Sequence, residues 1–306
     1  MKICTKLRLN IYLLTIILFG FSCKLKQEIP TLTTSYQISV GDIIITNSGN
    51  KSVLLLDSEG HFKATLLDLN QNETPTGIAY NSTTKEILIT VDGTADRVIA
   101  ISTYSLAKRD FINDIGNLTG TLYGITQLTQ GDIIISEGNT IERYNSSGTR
   151  VTTGAWPKTL MTTSTTLRAL TNGNFLSCST GTDLARIYDN TATQVFTTAV
   201  SGIAGTTDLY GCAVLSDGTI AIAWNGTTDT VQIRSSNLAT VLASYSNITT
   251  TVLSNPRGIA QALNGNILVV DNTANHIAEI TTSGTLVRTF GDAINTPIDI
   301  FVVPSY

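Results

Sequence analysis

One short pattern recurs through most of the chain and limits what the chain can fold into. A turn of small and polar residues is followed by an apolar triplet, in six copies spaced about 45 residues apart. Such nearly continuous apolar runs are typical of strands that are buried on both faces. The repeat therefore predicts six similar β units packed side by side, with triplets that begin at Ile43, Ile87, Ile133, Phe175, Ile220 and Ile267.

The sixth copy, residues 255–291, shows the plan of one unit. Its apolar runs and tight turns predict four antiparallel strands, at Ile259–Leu263, Asn266–Val270, His276–Thr281 and Leu286–Phe290. Four strands of this kind make one blade of a β-propeller. No stretch after residue 35 has a sustained apolar period of 3.6 residues, so we expect an all-β chain with almost no helix.

The chain stops in the middle of a repeat, after one apolar strand at Ile298–Val303. The first copy, near Gly41, has a poor innermost strand of its own. We therefore predict that the last strand completes the first blade and closes the ring, which removes exposed strand edges. This reasoning predicts one domain, a six-bladed β-propeller of four-stranded antiparallel blades over residues 36–306.

The amino-acid sequence of the sixth copy resembles that of a known family of repeats. Pro256-Arg257-Gly258-Ile259, the strand ending at Asp271 and the Asn275-His276-Ile277 segment resemble the NHL-repeat family of β-propellers. The match is close for this copy, although Ile277 stands where the family usually has Leu. The other copies lack the Asn-His pair, so for them the resemblance is one of architecture.

The pattern of the first 22 residues is typical of a targeting segment. A basic front precedes an apolar run at 11–21, which is too short for a comfortable membrane span, and small residues lead to Cys23. The segment resembles a bacterial lipoprotein signal, which implies that residues 1–22 are removed and that Cys23 is lipidated. The alternative is ordinary secretion with a free Cys23. Residues 23–35 are polar, contain Pro30 and read as a flexible tether.

The expected cellular location and the net charge of the chain restrict the classes of partner that it can bind. Lys24 follows Cys23, a pattern that resembles outer-membrane retention, so we expect a lipid-anchored protein of the cell envelope at the outer membrane or cell surface. The formal net charge is −4, and the segment 1–22 carries only the three positive charges of Lys2, Lys6 and Arg8. The mature chain is therefore more acidic, which argues against nucleic acid as a partner. No specific patch for oligomer contacts is visible, so we expect a monomer.

Functional residues of propellers are expected where the innermost strands reach the channel mouth. The mouth positions here are Thr76, Tyr123, Tyr210, Arg257, Ile298 and, in the fourth copy, Thr165 or Arg168. Tyrosine faces and arginines can hold a carboxylate, a phosphate or a sugar. We therefore predict a ligand site formed by Tyr123, Arg168, Tyr210, Arg257, Asp208 and Asp299. The alternative is that Tyr123 and Tyr210 plug the channel while Arg257 pairs with Asp299 or Asp208.

The register of the fourth copy is ambiguous. A match without gaps puts Thr165 at the mouth and Arg168 inside the strand. The other match puts Arg168 at the mouth and needs a deletion of three residues. We favour the match without gaps.

Two enzyme classes share the fold that the resemblance implies. Lactonase propellers hold a divalent cation in the channel with a Glu, two Asn and an Asp, and the mouth positions here supply Asp208, Asp299 and Asn255 but no Glu. Streptogramin lyases use a histidine near the channel, whereas His61 and His276 fall in or beside outer turns. We predict no catalytic residues and favour a binding or scaffolding module for a protein or a small anionic or carbohydrate ligand. A lactonase-like or lyase-like enzyme with a channel metal is the alternative.

Two further predictions concern ions and thiols. We expect no resident cofactor, although Ca²⁺ is possible at acidic turns that contain Asp92, Asp96, Asp183, Asp229 and Asp271, where Asp also favours the turn itself.

Cys178 and Cys212 fall in adjacent blades and could pair in an oxidising compartment. We expect two buried free thiols, because a disulfide needs a short separation of their Cα atoms.

Overall fold

Every element that the structure describes is a β-strand. The computed structural model describes residues 37–305 apart from 114–117, 119, 155, 162, 196–205, 247–252 and 292. The predicted signal segment, Cys23 and the tether lie outside the described residues. Among the described residues there is no helix with the length and apolar character that crossing a membrane requires.

The strands form six antiparallel sheets. Blade 1 contains β1 (Ile43–Asn47), β2 (Ser52–Leu56), β3 (Phe62–Asp68) and β23 (Pro297–Val302). Blade 2 contains β4 (Glu73–Asn81), β5 (Glu86–Gly93), β6 (Arg97–Ser102) and β7 (Lys108–Ile112). Blade 3 contains β8 (Leu122–Gln127), β9 (Ile133–Glu137), β10 (Thr140–Tyr144) and β11 (Lys158–Thr159).

The second half of the chain repeats the plan. Blade 4 contains β12 (Ser164–Ala169), β13 (Phe175–Ser179) and β14 (Leu184–Tyr188). Blade 5 contains β15 (Thr206–Val214), β16 (Ile220–Gly226), β17 (Thr230–Arg234) and β18 (Val241–Tyr245). Blade 6 contains β19 (Pro256–Gln261), β20 (Ile267–Asp271), β21 (His276–Ile280) and β22 (Leu286–Phe290). At the outer side of blade 4, the described residues contribute one isolated bridge between Tyr188 and Gln194.

The innermost strands follow one another around a central axis in the order β23, β4, β8, β12, β15 and β19, and β19 returns to β23. The predicted six-bladed β-propeller is therefore confirmed. Strand β23 pairs with β1 through Ile43 with Val302 and Ile45 with Ile300. The prediction that the last strand completes the first blade is also confirmed, and the ring has no open edge there.

The core lies between neighbouring blades. Strands β1, β9, β13 and β20 are buried at every residue, as the apolar triplets predict. Between blades 1 and 2, for example, Ile44 and Val53 share one apolar cluster with Ile87 and Ile89. Because apolar side chains fill the gaps between blades, the blades are held at set angles and the mouth positions converge on the axis.

The strands of blade 6 agree closely with their predicted bounds. The exception is β19, which begins at Pro256, three residues before the predicted start at Ile259. The pairing of β19 with β20 shifts register between Pro256 and Ile259, so a bulge lets the strand continue towards the mouth. Arg257 lies within this bulge.

Candidate functional site

Six innermost strands bring their mouth positions to one cavity. The residues Thr76, Tyr123, Thr165, Tyr210, Arg257 and Ile298 all line a cavity of about 250 Å³, together with Thr163, Thr166, Thr180 and Asp299. Thr165 is therefore the mouth residue of blade 4, and Arg168 pairs with Leu176 inside the sheet. The match without gaps is confirmed for the fourth copy.

Glycines allow the innermost strands to approach so closely. A Cβ atom on Gly124 would lie 2.7 Å from the Leu167 nitrogen, and one on Gly258 would lie 2.6 Å from the Asp299 Cα atom. No side chain fits between backbones at that distance. Gly77 and Gly211 face the next strand in the same way. Each glycine follows a mouth position, so the crowding at the glycine directs the preceding side chain into the cavity.

In the first three blades, side-chain hydroxyl groups accept hydrogen bonds from the backbone N–H groups at the bulges of the innermost strands. Gly77 N donates to Thr90 Oγ1 at 2.7 Å, Gly124 N donates to Ser136 Oγ at 2.7 Å, and Asp299 N donates to the Thr46 hydroxyl at 2.9 Å. A buried N–H without such an acceptor would be costly. These hydroxyls are not among the residues predicted from the sequence, although each one directly follows its apolar triplet.

Arg257 and Tyr210 form the centre of the site. The guanidinium carbon of Arg257 lies 4.2 Å from the centroid of the Tyr210 ring. Arg257 Nε is buried and has no hydrogen-bond partner, and none of the ion pairs found in the described part of the chain includes Arg257. The site therefore presents a stacked cation that lacks a carboxylate partner.

The expected pairing of Arg257 with Asp299 or Asp208 is wrong. Asp299 Oδ1 instead lies 2.7 Å from Nη2 of Arg168, which reaches across the channel from the blade opposite. Asp299 also accepts hydrogen bonds from Ile78 N at 3.2 Å and from its neighbour Ile300 at 3.0 Å. Arg168 does not line the mouth cavity and borders the cavity on the other side of the ring. This ion pair crosses the channel.

One carboxylate, that of Asp208, lies at the hydroxyl end of the Tyr210 ring. The Tyr210 hydroxyl lies 3.5 Å from Asp208 Oδ2 and donates towards it. Burial raises the pKa of Tyr210; Arg257 opposes the rise, and Asp208 adds to it. The phenol is therefore neutral at physiological pH.

Asp183 stands in the turn between β13 and β14. Its Oδ1 atom is buried and has no hydrogen-bond partner among the described residues. Burial raises the pKa of Asp183, the neighbouring Asp208 raises it further, and a hydrogen bond from the Leu209 backbone opposes both effects. Neither Asp208 nor Asp183 lines the mouth cavity. Of the predicted site residues, Tyr123, Tyr210, Arg257 and Asp299 line it, and Asp208 lies next to it at the Tyr210 hydroxyl.

Cys178 and Cys212 form a disulfide, with their Cα atoms 6.4 Å apart. The expectation of two free thiols is wrong, because β13 and β15 of adjacent blades approach closely enough for the bond. The disulfide lies directly behind the mouth. The bond joins β13 to β15, the strand that carries Tyr210. Thr165 Oγ1 on β12 donates to Cys178 O at 3.3 Å and to Tyr210 O at 2.9 Å, so its hydroxyl contacts both strands that the disulfide joins.

The two histidines lie away from the cavity. The side chain of His61 is 79% exposed in the turn between β2 and β3 and contacts Asp57 at 3.2 Å. His276 begins β21, and neither histidine lines the mouth cavity. The chain contains these two histidines alone.

Several of the aspartates at which Ca²⁺ was considered accept hydrogen bonds from backbone N–H groups. Asp92 accepts from Leu122 N at 3.0 Å, Asp96 from Gly93 N at 2.9 Å and Asp271 from Ala274 N at 2.8 Å. The bonds of Asp96 and Asp271 stabilise their own turns, whereas the bond of Asp92 links blade 2 to the first strand of blade 3. In the part of the chain that the structure describes, no three His, Cys, Asp or Glu side chains are grouped so that they could hold a metal ion.

Known protein structures share the fold of this chain, but no known protein family matches its sequence. No protein-family model and no curated protein matches the sequence. A protein of unknown function from Bacteroides caccae is similar in structure, with a TM-score of 0.65 and 13% identity over 86% of this chain and 98% of that chain. A chain of the nidogen–laminin complex has a TM-score of 0.65 and 13% identity, over 85% of this chain and 97% of that chain.

A third solved structure is an enzyme. It is a catalytically inactive virginiamycin B lyase from Staphylococcus aureus with quinupristin, at a TM-score of 0.61 and 13% identity, over 85% of this chain and 87% of that chain. At such identity the likeness shows the fold alone. The class of this protein is therefore a six-bladed β-propeller with a small polar cavity at one mouth of its channel.

Proposed function

We propose that this protein is an exported, lipid-anchored NHL-like β-propeller that binds a small anionic ligand at the mouth of its channel. One observation carries the proposal. Arg257 is stacked on Tyr210 beside the cavity and has no carboxylate partner among the described residues. A partly buried guanidinium without a counter-charge is stabilised by an anion that enters the cavity.

The cavity sets the size and character of the ligand. Its volume of about 250 Å³ is just below the range of about 300–1,000 Å³ that holds drug-sized molecules. Tyr123 and Tyr210 contribute aromatic rings to the lining, and threonines contribute most of its remaining residues. These surfaces suit a carboxylate attached to a flat ring or a sugar.

Binding is favoured over catalysis by the groups that the cavity contains. Asp299 is its only carboxylate within the described residues, and it is engaged by Arg168. The inactive virginiamycin B lyase carries a histidine-to-alanine substitution, whereas both histidines of this chain lie outside the cavity. A general base aimed at a bound ligand would be needed for a lyase of that kind.

The disulfide supports export. Cys178 and Cys212 are bonded and fully buried, and structural disulfides are typical of proteins that fold in oxidising compartments. This agrees with the lipoprotein-like leader and with a place at the outer membrane or cell surface. Replacing Cys23 with Ser is expected to move the protein from the membrane to the soluble fraction of fractionated cells. A variant that stays with the membrane would contradict lipid anchoring at Cys23.

Calorimetric titration of the purified full-length chain with glucuronate, benzoate, glucose and phosphate tests the ligand site. We expect the two carboxylates to bind and glucose to bind more weakly. Replacing Arg257 and Tyr210 together with Ala should weaken carboxylate binding by roughly tenfold or more, because a charge-assisted contact and a stacking face are lost.

Arg109→Ala is the matched control. Arg109 also stacks on an aromatic ring, that of Phe111 at 5.2 Å, but it lies on the outer strand β7. The control should bind as the unmodified chain does. Equal carboxylate affinity in the unmodified chain and the Arg257 and Tyr210 double variant would rule out the mouth site.

A further inference from the structure

Charges of both signs stand around one tyrosine ring at the mouth. Arg257 lies over the face of Tyr210, and the carboxylate of Asp208 lies at its hydroxyl. The second carboxylate, Asp183, stands close enough to Asp208 for the two charges to interact. Neither acid takes part in an ion pair found among the described residues, and neither does Arg257. The two unpaired charge centres are separated by a single aromatic ring.

We infer that the mouth is selective for zwitterions, with a ligand carboxylate on Arg257 and a ligand ammonium group beside Asp208 and Asp183. The inference rests on the proposed function and names the class of ligand for the same site. Each charge of such a ligand faces an unpaired charge of opposite sign. A dianion such as phosphate or a dicarboxylate would place its second negative charge against the acidic pair.

The hydrogen bonds that Asp183 and Asp208 already accept leave carboxylate oxygens for a ligand ammonium group. Asp183 accepts a hydrogen bond from the Leu209 backbone, yet its Oδ1 atom is buried and without a partner. The Tyr210 hydroxyl reaches only one oxygen of Asp208, at 3.5 Å. An ammonium group has three donors and satisfies both remaining acceptors at once. The ring of Tyr210 lies between Arg257 at its face and Asp208 at its hydroxyl, which sets the separation that the two charged groups of the ligand must span.

Three probes of similar size separate the possibilities: propionate, β-alanine and succinate. They share a CH2–CH2–COO⁻ unit, to which propionate adds a hydrogen, β-alanine an ammonium group and succinate a second carboxylate. We expect the full-length chain, titrated at pH 7 by calorimetry or NMR, to bind β-alanine roughly tenfold tighter than propionate, because a charged hydrogen bond is added. Succinate should bind most weakly.

Asp208→Asn should remove most of the preference for β-alanine, leave propionate within about twofold and improve succinate, since one repelling charge is gone. Asp229→Asn is the matched control. Asp229 lies in the turn between β16 and β17 of blade 5, the turn that corresponds to that of Asp183 in blade 4. It accepts a hydrogen bond from Gly226 N at 3.2 Å, and no hydrogen bond to Tyr210 is found among the described residues. The control should keep the preference for β-alanine, and thermal melts of all variants establish that they fold.

The outcomes distinguish this inference from the proposed function. If propionate and β-alanine bind equally and Arg257→Ala abolishes both, the anion site stands and selectivity for zwitterions is overturned. An unchanged preference for β-alanine in Asp208→Asn would also overturn that selectivity. If none of the three probes binds while benzoate or glucuronate does, the selectivity for zwitterions is overturned and the proposed function stands. If no carboxylate binds, both are overturned.

Discussion

The Nη2 atom of Arg168 lies 2.7 Å from Oδ1 of Asp299, and this ion pair joins the innermost strands of two blades on opposite sides of the ring. Arg168 belongs to β12 of blade 4, and Asp299 belongs to β23, the strand that closes blade 1. The two side chains are 15% and 8% exposed. The pair crosses the channel beneath the mouth cavity and engages the only carboxylate that the described residues contribute to the lining of that cavity.

The first prediction concerns this pair. Arg168→Met should lower the free energy of unfolding by about 3 kcal/mol, because it leaves the Asp299 carboxylate buried without its cation. Asp299→Asn in the same chain should restore part of the loss. Urea denaturation of both single variants and the double variant gives the coupling energy, which we expect to exceed about 1 kcal/mol. Strictly additive effects would show that the pair contributes nothing to ring closure.

The second prediction concerns the crowded glycines. A Cβ on Gly211 would collide with the Arg257 carbonyl, so Gly211→Ala should cost about 3 kcal/mol of stability and displace Arg257. Gly218 has a φ of 82° and open space around it, so Gly218→Ala should cost about 1 kcal/mol through backbone strain alone. Thermal and urea unfolding compare the two variants. Equal costs would mean that close strand approach does not explain the glycine at 211.

The third prediction concerns the disulfide. The bond closes a loop with a sequence separation of 34 residues, so replacing Cys178 and Cys212 together with Ala should cost about 3–4 kcal/mol. Both sulfurs are buried, so a reductant should act only when it is present during refolding. Refolding under reductant should lower the melting temperature of the unmodified chain and leave that of the double variant unchanged. An equal response of the two chains would contradict the bond.

The fourth prediction concerns pH. Glu279 is buried in β21 and accepts hydrogen bonds from Asn266 at 2.7 Å, Asn264 at 2.9 Å and Arg288 Nε at 2.6 Å. Burial raises the pKa of Glu279, but these hydrogen bonds outweigh burial and hold the pKa below its usual value. A pKa that is lower in the folded than in the unfolded chain stabilises the fold above the unfolded pKa. That stabilisation is lost as the pH falls towards the folded pKa.

Glu279→Gln should therefore cost about 1–3 kcal/mol at pH 7, and its deficit relative to the unmodified chain should shrink as the pH is lowered through about 4.5. Urea denaturation at several pH values measures the difference. Glu59→Gln, in the exposed turn after β2, is the control and should have little effect at any pH. A deficit that stays constant down to about pH 3 would contradict a role for the ionised carboxylate.

Much of the site could be predicted from local pattern, and its pairings could not. Tyr123, Tyr210 and Arg257 each precede a glycine in a recurring motif, so their place at the mouth follows from the repeat. The contact of Arg168 with Asp299 spans 131 residues of sequence and depends on which blades stand opposite each other. The approach of Asp183 to Asp208 depends likewise on how two neighbouring blades pack.

The sequence by itself determined the strands, the blade count and the closure of the ring. Those features follow from the apolar triplets, the tight turns and the final half-repeat, which act over a few residues or between adjacent strands. Only the tertiary structure decided which charges are paired at the mouth, that Cys178 bonds to Cys212, and that Arg257 has no carboxylate partner among the described residues. These relationships depend on distances across the channel and between blades, and such distances are set by the packing of the whole ring.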